Sequence, residues 1–314
     1  PEKILKKLFK IIVNESDPYK LVTKNLPKKP QKKIIVIGVG KASLRMAEAV
    51  EKKWGSVSGL IITPYKKEDK LLNIKVFVGS HPKPSLENLK ATKKIISILN
   101  KVNNNHFVLF LISGGGSALL CHPSENLSFK EKQKTHELLV NNGISINKIN
   151  IVRKHLSLVK GGQLAALAYP SEMMSMIISD VPGDNLSNVS SGPTIGENST
   201  SKEAISILKK NKINAPKNVF LTLESGSNVI KNDDYRLKKI NNILIGNFYK
   251  SFKEIISWAK EKKLDIEYLG DDVEGEAKKV GKKQAKMAKK LRLKMNKNSN
   301  PILLISGGEC TVNL

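Results

Sequence analysis

Short apolar runs recur along the chain, and most close on a cluster of glycine and small polar residues. KIIVI (Lys33–Ile37) leads into Gly38-Val39-Gly40-Lys41-Ala42-Ser43, and KVFVG (Lys75–Gly79) into Ser80-His81-Pro82-Lys83-Pro84. FVLFLI (107–112) leads into Ser113-Gly114-Gly115-Gly116-Ser117, and MMSMII (Met173–Ile178) into Ser179-Asp180-Val181-Pro182-Gly183-Asp184. PILLI (Pro301–Ile305) leads into Ser306-Gly307-Gly308-Glu309. Leu60–Thr63, Ile243–Ile245 and Asp265–Leu269 read as further strands. Helical periodicity fills much of the space between: Pro1–Glu15, a segment ending at Trp54, Ser85–Val102, Ser128–Asn142, Ile149–Ala168 with a break at Gly161-Gly162, Ser201–Asn211, Phe248–Lys263 and Glu274–Lys294. Buried strands alternating with helices predict an α/β fold built of βαβ units around a parallel sheet.

In such sheets ligands bind beyond the carboxyl ends of the strands, and the polar-glycine clusters sit at those ends. Three successive glycines are entropically expensive. Gly114, Gly115 and Gly116 between Ser113 and Ser117 therefore predict a close approach by a ligand, with exposed N–H groups suited to an anion such as a phosphate or carboxylate. Gly38-Val39-Gly40-Lys41 is neither a Walker A loop nor a complete dinucleotide fingerprint. Ser43 stands at the third glycine position, and no acid closes the next strand. A lysine at a helix N-terminus opposes the helix dipole, so Lys41 predicts an anionic partner.

Asp180 and Asp184 follow a buried strand, and a carboxylate there suits Mg²⁺ shared with substrate phosphates; either also serves as a turn cap. Arg153 and Lys160 flank a glycine-interrupted helix, Lys160 directly before Gly161, where helix packing is an equal explanation. His81 and His155 read as structural, Pro82 and Pro84 stiffening the loop of the former, although His81 stays among the candidate binding residues. The hydrolase elbow G-x-S-x-G is absent around Ser117.

The 314 residues carry a formal net charge of +26. Arginine occurs only at Arg45, Arg153, Arg236 and Arg292, and aromatics are sparse. Specific nucleic-acid surfaces favour arginine forks and stacking platforms, so the lysines read as solvated helix faces, as in Lys278–Lys290. No stretch approaches the ~18 apolar residues of a membrane-spanning helix, and no signal peptide is recognisable. Cys121 and Cys310 read as two buried thiols of a cytoplasmic protein.

Taken in order, GVGKAS, SHPKPS, LISGGGSALL, NIVRKHLSLVKGGQLA, ISDVPGDNLSNVSSGPT, VEGEA and LISGGECT resemble the glycerate 2-kinase family. Its members are often mislabelled hydroxypyruvate reductases. The resemblance covers nearly the whole chain. It implies ATP- and Mg²⁺-dependent phosphorylation of D-glycerate to 2-phosphoglycerate, in a cleft between a large Rossmann-like domain and a smaller α/β domain. By the match Lys41 is the catalytic lysine, while Asp180, as catalytic group and metal ligand, and the Gly114–Gly116 loop line the cleft. Arg153 is carried as a third catalytic candidate. Gly38, Gly40, His81, Ser113, Ser117, Lys160, Gly161, Asp184, Gly308 and Glu309 are carried as substrate- or nucleotide-binding candidates. An NAD(P)-dependent hydroxypyruvate reductase is the alternative, and a homodimer stays open.

The pattern breaks down at Ser225–Asn241, predicting a large domain over 1–235 and a second over 236–314. The second strand of a hairpin begun at Pro301 is expected to run to Leu314. The family continues past SGGECTV into a glycine-rich stretch whose Gly-Arg-Asn-Gln run carries an active-site arginine. The second domain is therefore expected to be truncated, with negligible kinase activity and an aggregating strand edge.

Overall fold

The computed structural model describes residues 2–66 and 71–312. Pro1 and Leu314, the outer bounds of the first and last expected elements, lie outside the described residues. Six strands form one parallel sheet: β1 (Lys33–Val39), β2 (Ser58–Thr63), β3 (Ile74–Val78), β4 (His106–Ile112), β5 (Glu172–Ile178) and β6 (Ile240–Gly246), in the order β3-β2-β1-β4-β5-β6. The order reverses between β1 and β4, whose register runs from Lys33 opposite His106 to Val39 opposite Ile112. That is the crevice where open α/β sheets take ligands.

Alternate residues of each strand feed opposite faces. Ile35, Ile37, Val108 and Phe110 pack under α4 (Leu86–Leu99) and α8 (Gln163–Ala168), through Ala91, Ile95, Leu164 and Ala165. Ile34, Val36, Leu109 and Leu111 pack under α3 (Ser43–Trp54), through Met46, Val50 and Trp54. The two layers explain why these strands read as unbroken apolar runs. A third core joins helices alone: α6 (Phe129–Asn141), α7 (Ile146–His155), α9 (Ser201–Lys210) and α10 (Lys217–Glu224). Capping boxes start α6 at Ser128/Glu131 and α9 at Thr200/Glu203.

The expected boundary at 235/236 falls ahead of β6, which is the sixth strand of the main sheet. A separate cluster forms beyond it, where α11 (Phe248–Glu261) contributes Phe252 and Ile255, and β9 (Ile302–Ile305) contributes Ile305. The N-terminal helix α1 (Glu2–Glu15) joins that cluster through Leu8, with α2 (Pro18–Asn25) leading back to the sheet. The large unit thus begins after α1 and ends near Gly246. Sequence proximity placed α1 with its neighbours, but its apolar stripe packs on α11.

The last strands also differ from the expected hairpin. β7 (Asp265–Tyr268) pairs in parallel with β9, and β8 (Gly275–Glu276) pairs in parallel with β10 (Cys310–Thr311). Gly308, at φ +137°, packs on the backbone of Val273 and carries the chain away from β9 towards β8. Cys121 is buried as expected; Cys310, on this two-stranded edge, is exposed. The helix α12 (Ala277–Lys294) buries no residue, so its lysines are a solvated face. The break expected at Gly161-Gly162 within 149–168 is present: α7 ends at His155 and α8 starts after Gly162, at φ +80°. No described helix is long and apolar enough to cross a membrane.

Candidate active site

The β1 and β4 loops are stitched together at the switch point. The Lys41 N–H donates to the Gly114 carbonyl (2.9 Å), and the Ser113 N–H to Val39 (3.0 Å). The Ser113 hydroxyl accepts from the Ala42 N–H at 3.0 Å. Gly40, at φ +122°, lies against Ser113, leaving no room for a side chain. The N–H of Ser43 is taken by Gly40. Consecutive amides at the start of α3 are therefore committed to protein acceptors, and none of these is left for a dinucleotide pyrophosphate.

The glycine triplet opens the opposite way. Among the described residues, no protein acceptor takes the N–H groups of Gly114, Gly115, Gly116 or Ser117. Each glycine is required by a different neighbour. A Cβ on Gly114 would run into the Asp180 carboxylate; one on Gly115 would meet His81 and Lys41; one on Gly116 would strike Ser190. Ser190 in turn donates its hydroxyl to the Ser113 carbonyl at 2.8 Å. Ser190 and Ser191 both hold left-handed backbone, at φ +53° and +62°, a conformation costly for serine.

Lys41, His81, Asp180 and Glu309 thus converge from four loops, ending β1, β3, β5 and β9 respectively. Burial raises the Asp180 carboxyl above the ordinary aspartate value, its own backbone N–H and Lys41 oppose the shift, and Glu309 adds to it. Burial, then Lys41, lowers His81 against the pull of Asp180 and Glu309, leaving a neutral imidazole at pH 7. A cleft of about 310 Å³ is lined by Lys41, Ser113, Gly114, Asp180, Phe248 and Glu309, with Gly308 at its edge. Among the described residues lining it, only Asp180 and Glu309 offer carboxylates. No group of three or more metal-ligating side chains occurs among the described residues, so a hard cation would need further oxygens from substrate, as Mg²⁺ commonly takes them.

Glu309 and Gly115 also border a second cavity of about 700 Å³ beneath α6 and α7. Its floor holds Lys132, Arg153 and Lys160. Lys160, 1% exposed, donates its ammonium to the carbonyls of Ser117 (2.9 Å) and Leu120 (3.1 Å). Lys132 donates to the His122 carbonyl at 3.0 Å, and burial pushes its ammonium down to about 8. Arg153 donates to Asn150 Oδ1 at 3.1 Å and lies 3.1–3.4 Å from the ring nitrogens of His136. Burial and Arg153 keep His136 neutral, its pKa lowered to about 4. None of the three cations has a carboxylate partner among the described residues. Ser117 bonds Ser191 at 2.8 Å, tying this floor to the strained serines.

Several expected site residues stand elsewhere. Gly38 packs within the sheet on Ile61, and Gly161 packs on Val229 and Glu197; both serve close backbone packing. Asp184 accepts a hydrogen bond from Asn247 Nδ2. Arg153 and Lys160 line the larger cavity rather than the cleft around Lys41. The sequence reading gave no role to Lys132, His136, Asn150 or Ser190, which the structure brings to these two spaces. Lys132, Thr135 and Leu139 share a buried helix stripe, which their i, i+3, i+7 spacing could have revealed.

Residues 4–224 match a family described as a domain of unknown function, DUF4147. The chain is 33% identical to D-glycerate 2-kinase of Thermotoga maritima, over 100% of this chain and 75% of that protein. It is 35% identical to an Agrobacterium vitis protein provisionally named hydroxypyruvate reductase, over 99% of this chain and 71% of that protein. The crystal structure of a glycerate kinase from Thermotoga maritima superposes with a TM-score of 0.84 at 34% identity, covering 100% of this chain and 76% of that one.

Proposed function

Because the chain belongs to the glycerate 2-kinase family, we propose that it phosphorylates D-glycerate at the 2-hydroxyl, with ATP as donor and Mg²⁺ as metal. The observation carrying this reading is the convergence of Lys41, His81, Asp180 and Glu309 on the open N–H groups of Gly114–Ser117. Phosphoryl transfer asks a protein for positioning and charge neutralisation rather than covalent chemistry. The ammonium of Lys41 neutralises charge on the transferred group. The triplet N–H groups hold an anionic oxygen without reorganising. His81, kept neutral, accepts the proton of the attacking hydroxyl. Asp180, assisted by Glu309, is the carboxylate to which a Mg²⁺–phosphate complex would attach. Held there, Mg²⁺ would supply neutralisation of the phosphate charge.

The reductase alternative is disfavoured by the committed amides at the start of α3 and by Thr63, rather than an acid, at the end of β2, with Pro64 after it. We place the protein in the cytoplasm and its partners among small anions; the +26 charge then acts as an attracting field without specific nucleic-acid binding. Parallel assays of the full-length protein test the reading. Turnover of D-glycerate with ATP and Mg²⁺ supports it; NADH oxidation by hydroxypyruvate without any kinase turnover contradicts it.

A further inference from the structure

We propose that the cavity of about 700 Å³ beneath α6 and α7 is the nucleotide subsite, with the triphosphate on its cationic floor and the purine against its apolar rim. The cleft at Lys41 and Asp180 then receives the three-carbon acid, together with the terminal phosphate that reaches it from the cavity. This inference rests on the reading of the chain as an ATP-dependent kinase.

Three features carry it. The floor gathers Lys132, Arg153 and Lys160, none of them paired with a carboxylate among the described residues; Glu309 stands at the border towards Lys41, and neutral His136 adds no charge. Uncompensated buried cations are costly, and a polyphosphate supplies the missing charge along an extended line. Donors remain for it. Each ammonium has three N–H groups; Lys160 uses two on carbonyls and Lys132 uses one. Arg153 spends its guanidinium on Asn150 and a neutral imidazole.

The rim has the opposite character. Phe129, Leu139, Val140 and Ile146 form an apolar wall. A small, fully polar acid gains nothing from such a wall and fills little of the volume, whereas a purine ring matches both. The cleft of about 310 Å³ is the better size for the acid.

The two spaces are also continuous. Glu309 borders both, and Gly115 and His81 border the larger one beside Lys41. A triphosphate on the floor can therefore present its terminal group at Gly115, between the cavities, where Lys41 and His81 stand.

Calorimetric titration of the full-length protein separates the two ligands. The probes are the non-hydrolysable analogue AMP-PNP with Mg²⁺, and D-glycerate alone. Val140→Trp and Ile146→Trp fill the rim from residues that are each 49% exposed, so the fold is kept. Lys132→Met tests the floor. The expected result is a weakening of AMP-PNP of about tenfold or more in the rim variants, with D-glycerate within about twofold of wild type. Lys132→Met is expected to weaken AMP-PNP and inorganic tripolyphosphate together. D-glycerate weakened by the rim or floor variants with AMP-PNP unchanged would overturn the assignment and place the acid in the cavity. Product formation reads the kinase activity separately. Rim-sensitive nucleotide binding without phosphorylated product refutes the kinase reading but sustains the cavity. Turnover with rim-insensitive nucleotide binding refutes the cavity alone.

Discussion

The carboxylate of Asp180 rests directly on the Cα of Gly114, in the space a side chain would occupy. The contact joins the ends of the neighbouring strands β4 and β5, beside the switch-point crevice between β1 and β4. It also explains why the triplet begins where it does: the carboxylate reaches the cleft only over a residue without a Cβ. Asp180 is half-buried there, and no side chain hydrogen-bonds it among the described residues.

Gly114→Ala should therefore displace Asp180 and lower kcat by on the order of 10²-fold, the usual consequence of an ångström-scale misplacement. Gly281→Ala, a helical position with nothing within 4 Å of the added methyl, is the control. Steady-state kinetics of both variants check this; a Gly114→Ala enzyme as active as the control would show that Asp180 need not sit where it does.

Lys41→Ala should leave the fold intact, because the side chain is exposed and its loop is held by backbone bonds to Gly114 and by Ser113. Turnover should fall by about 10²–10³, the loss of one preorganised charge contact in the transition state. Circular dichroism with single-turnover kinetics decides; near-normal turnover would make Lys41 an ordinary surface lysine.

Asp180→Asn should raise the Mg²⁺ requirement sharply, whereas Asp184→Asn should hardly change it, since Asp184 is engaged with Asn247. The first substitution should also stabilise the protein at neutral pH. The folded-state pKa of Asp180 is raised, so the folded state disfavours its charge; the penalty is full above that pKa and vanishes below the unfolded value of about 3.9. Metal titrations and thermal melts test both halves. A lower Tm for Asp180→Asn would contradict the stated cost of burying the charge.

The pH profile follows from two opposite shifts. Asp180 is raised from 3.8 and His81 is lowered from 6.5. Both required forms, carboxylate and neutral imidazole, are lost on acidification, the carboxylate at a higher pH than in an ordinary aspartate and the imidazole at a lower pH than in an ordinary histidine. The kcat/KM should fall on acidification, and His81→Gln should flatten the part of the acid limb due to the imidazole. An acid limb unchanged in His81→Gln would remove the histidine from proton transfer.

Much of the large unit was legible because its strands are buried on both faces. Phe107–Ile112 and Met173–Ile178 could read only as interior strands, and the loops after them held Gly114 and Asp180 at the site. The glycines were less distinct. Gly38 and Gly161 look in sequence like Gly114, yet the first meets Ile61 in the sheet and the second Val229. Only the tertiary neighbour separates a packing glycine from one that carries a carboxylate. Lys132 was hidden for another reason: in a chain this rich in lysine, its burial depends on the helix face that α6 turns to the cavity. The place of α1 against α11 required knowledge of which distant apolar stripe it would meet.

The most direct test is the proton-coupled phosphorus NMR spectrum of the product formed by the full-length protein from D-glycerate, ATP and Mg²⁺. Transfer to the 2-hydroxyl predicts a doublet, from a phosphate on a carbon bearing one hydrogen. A triplet, from a phosphate on the terminal CH₂, or no phosphorylated acid at all, would contradict the assignment of this cleft to glycerate 2-phosphorylation.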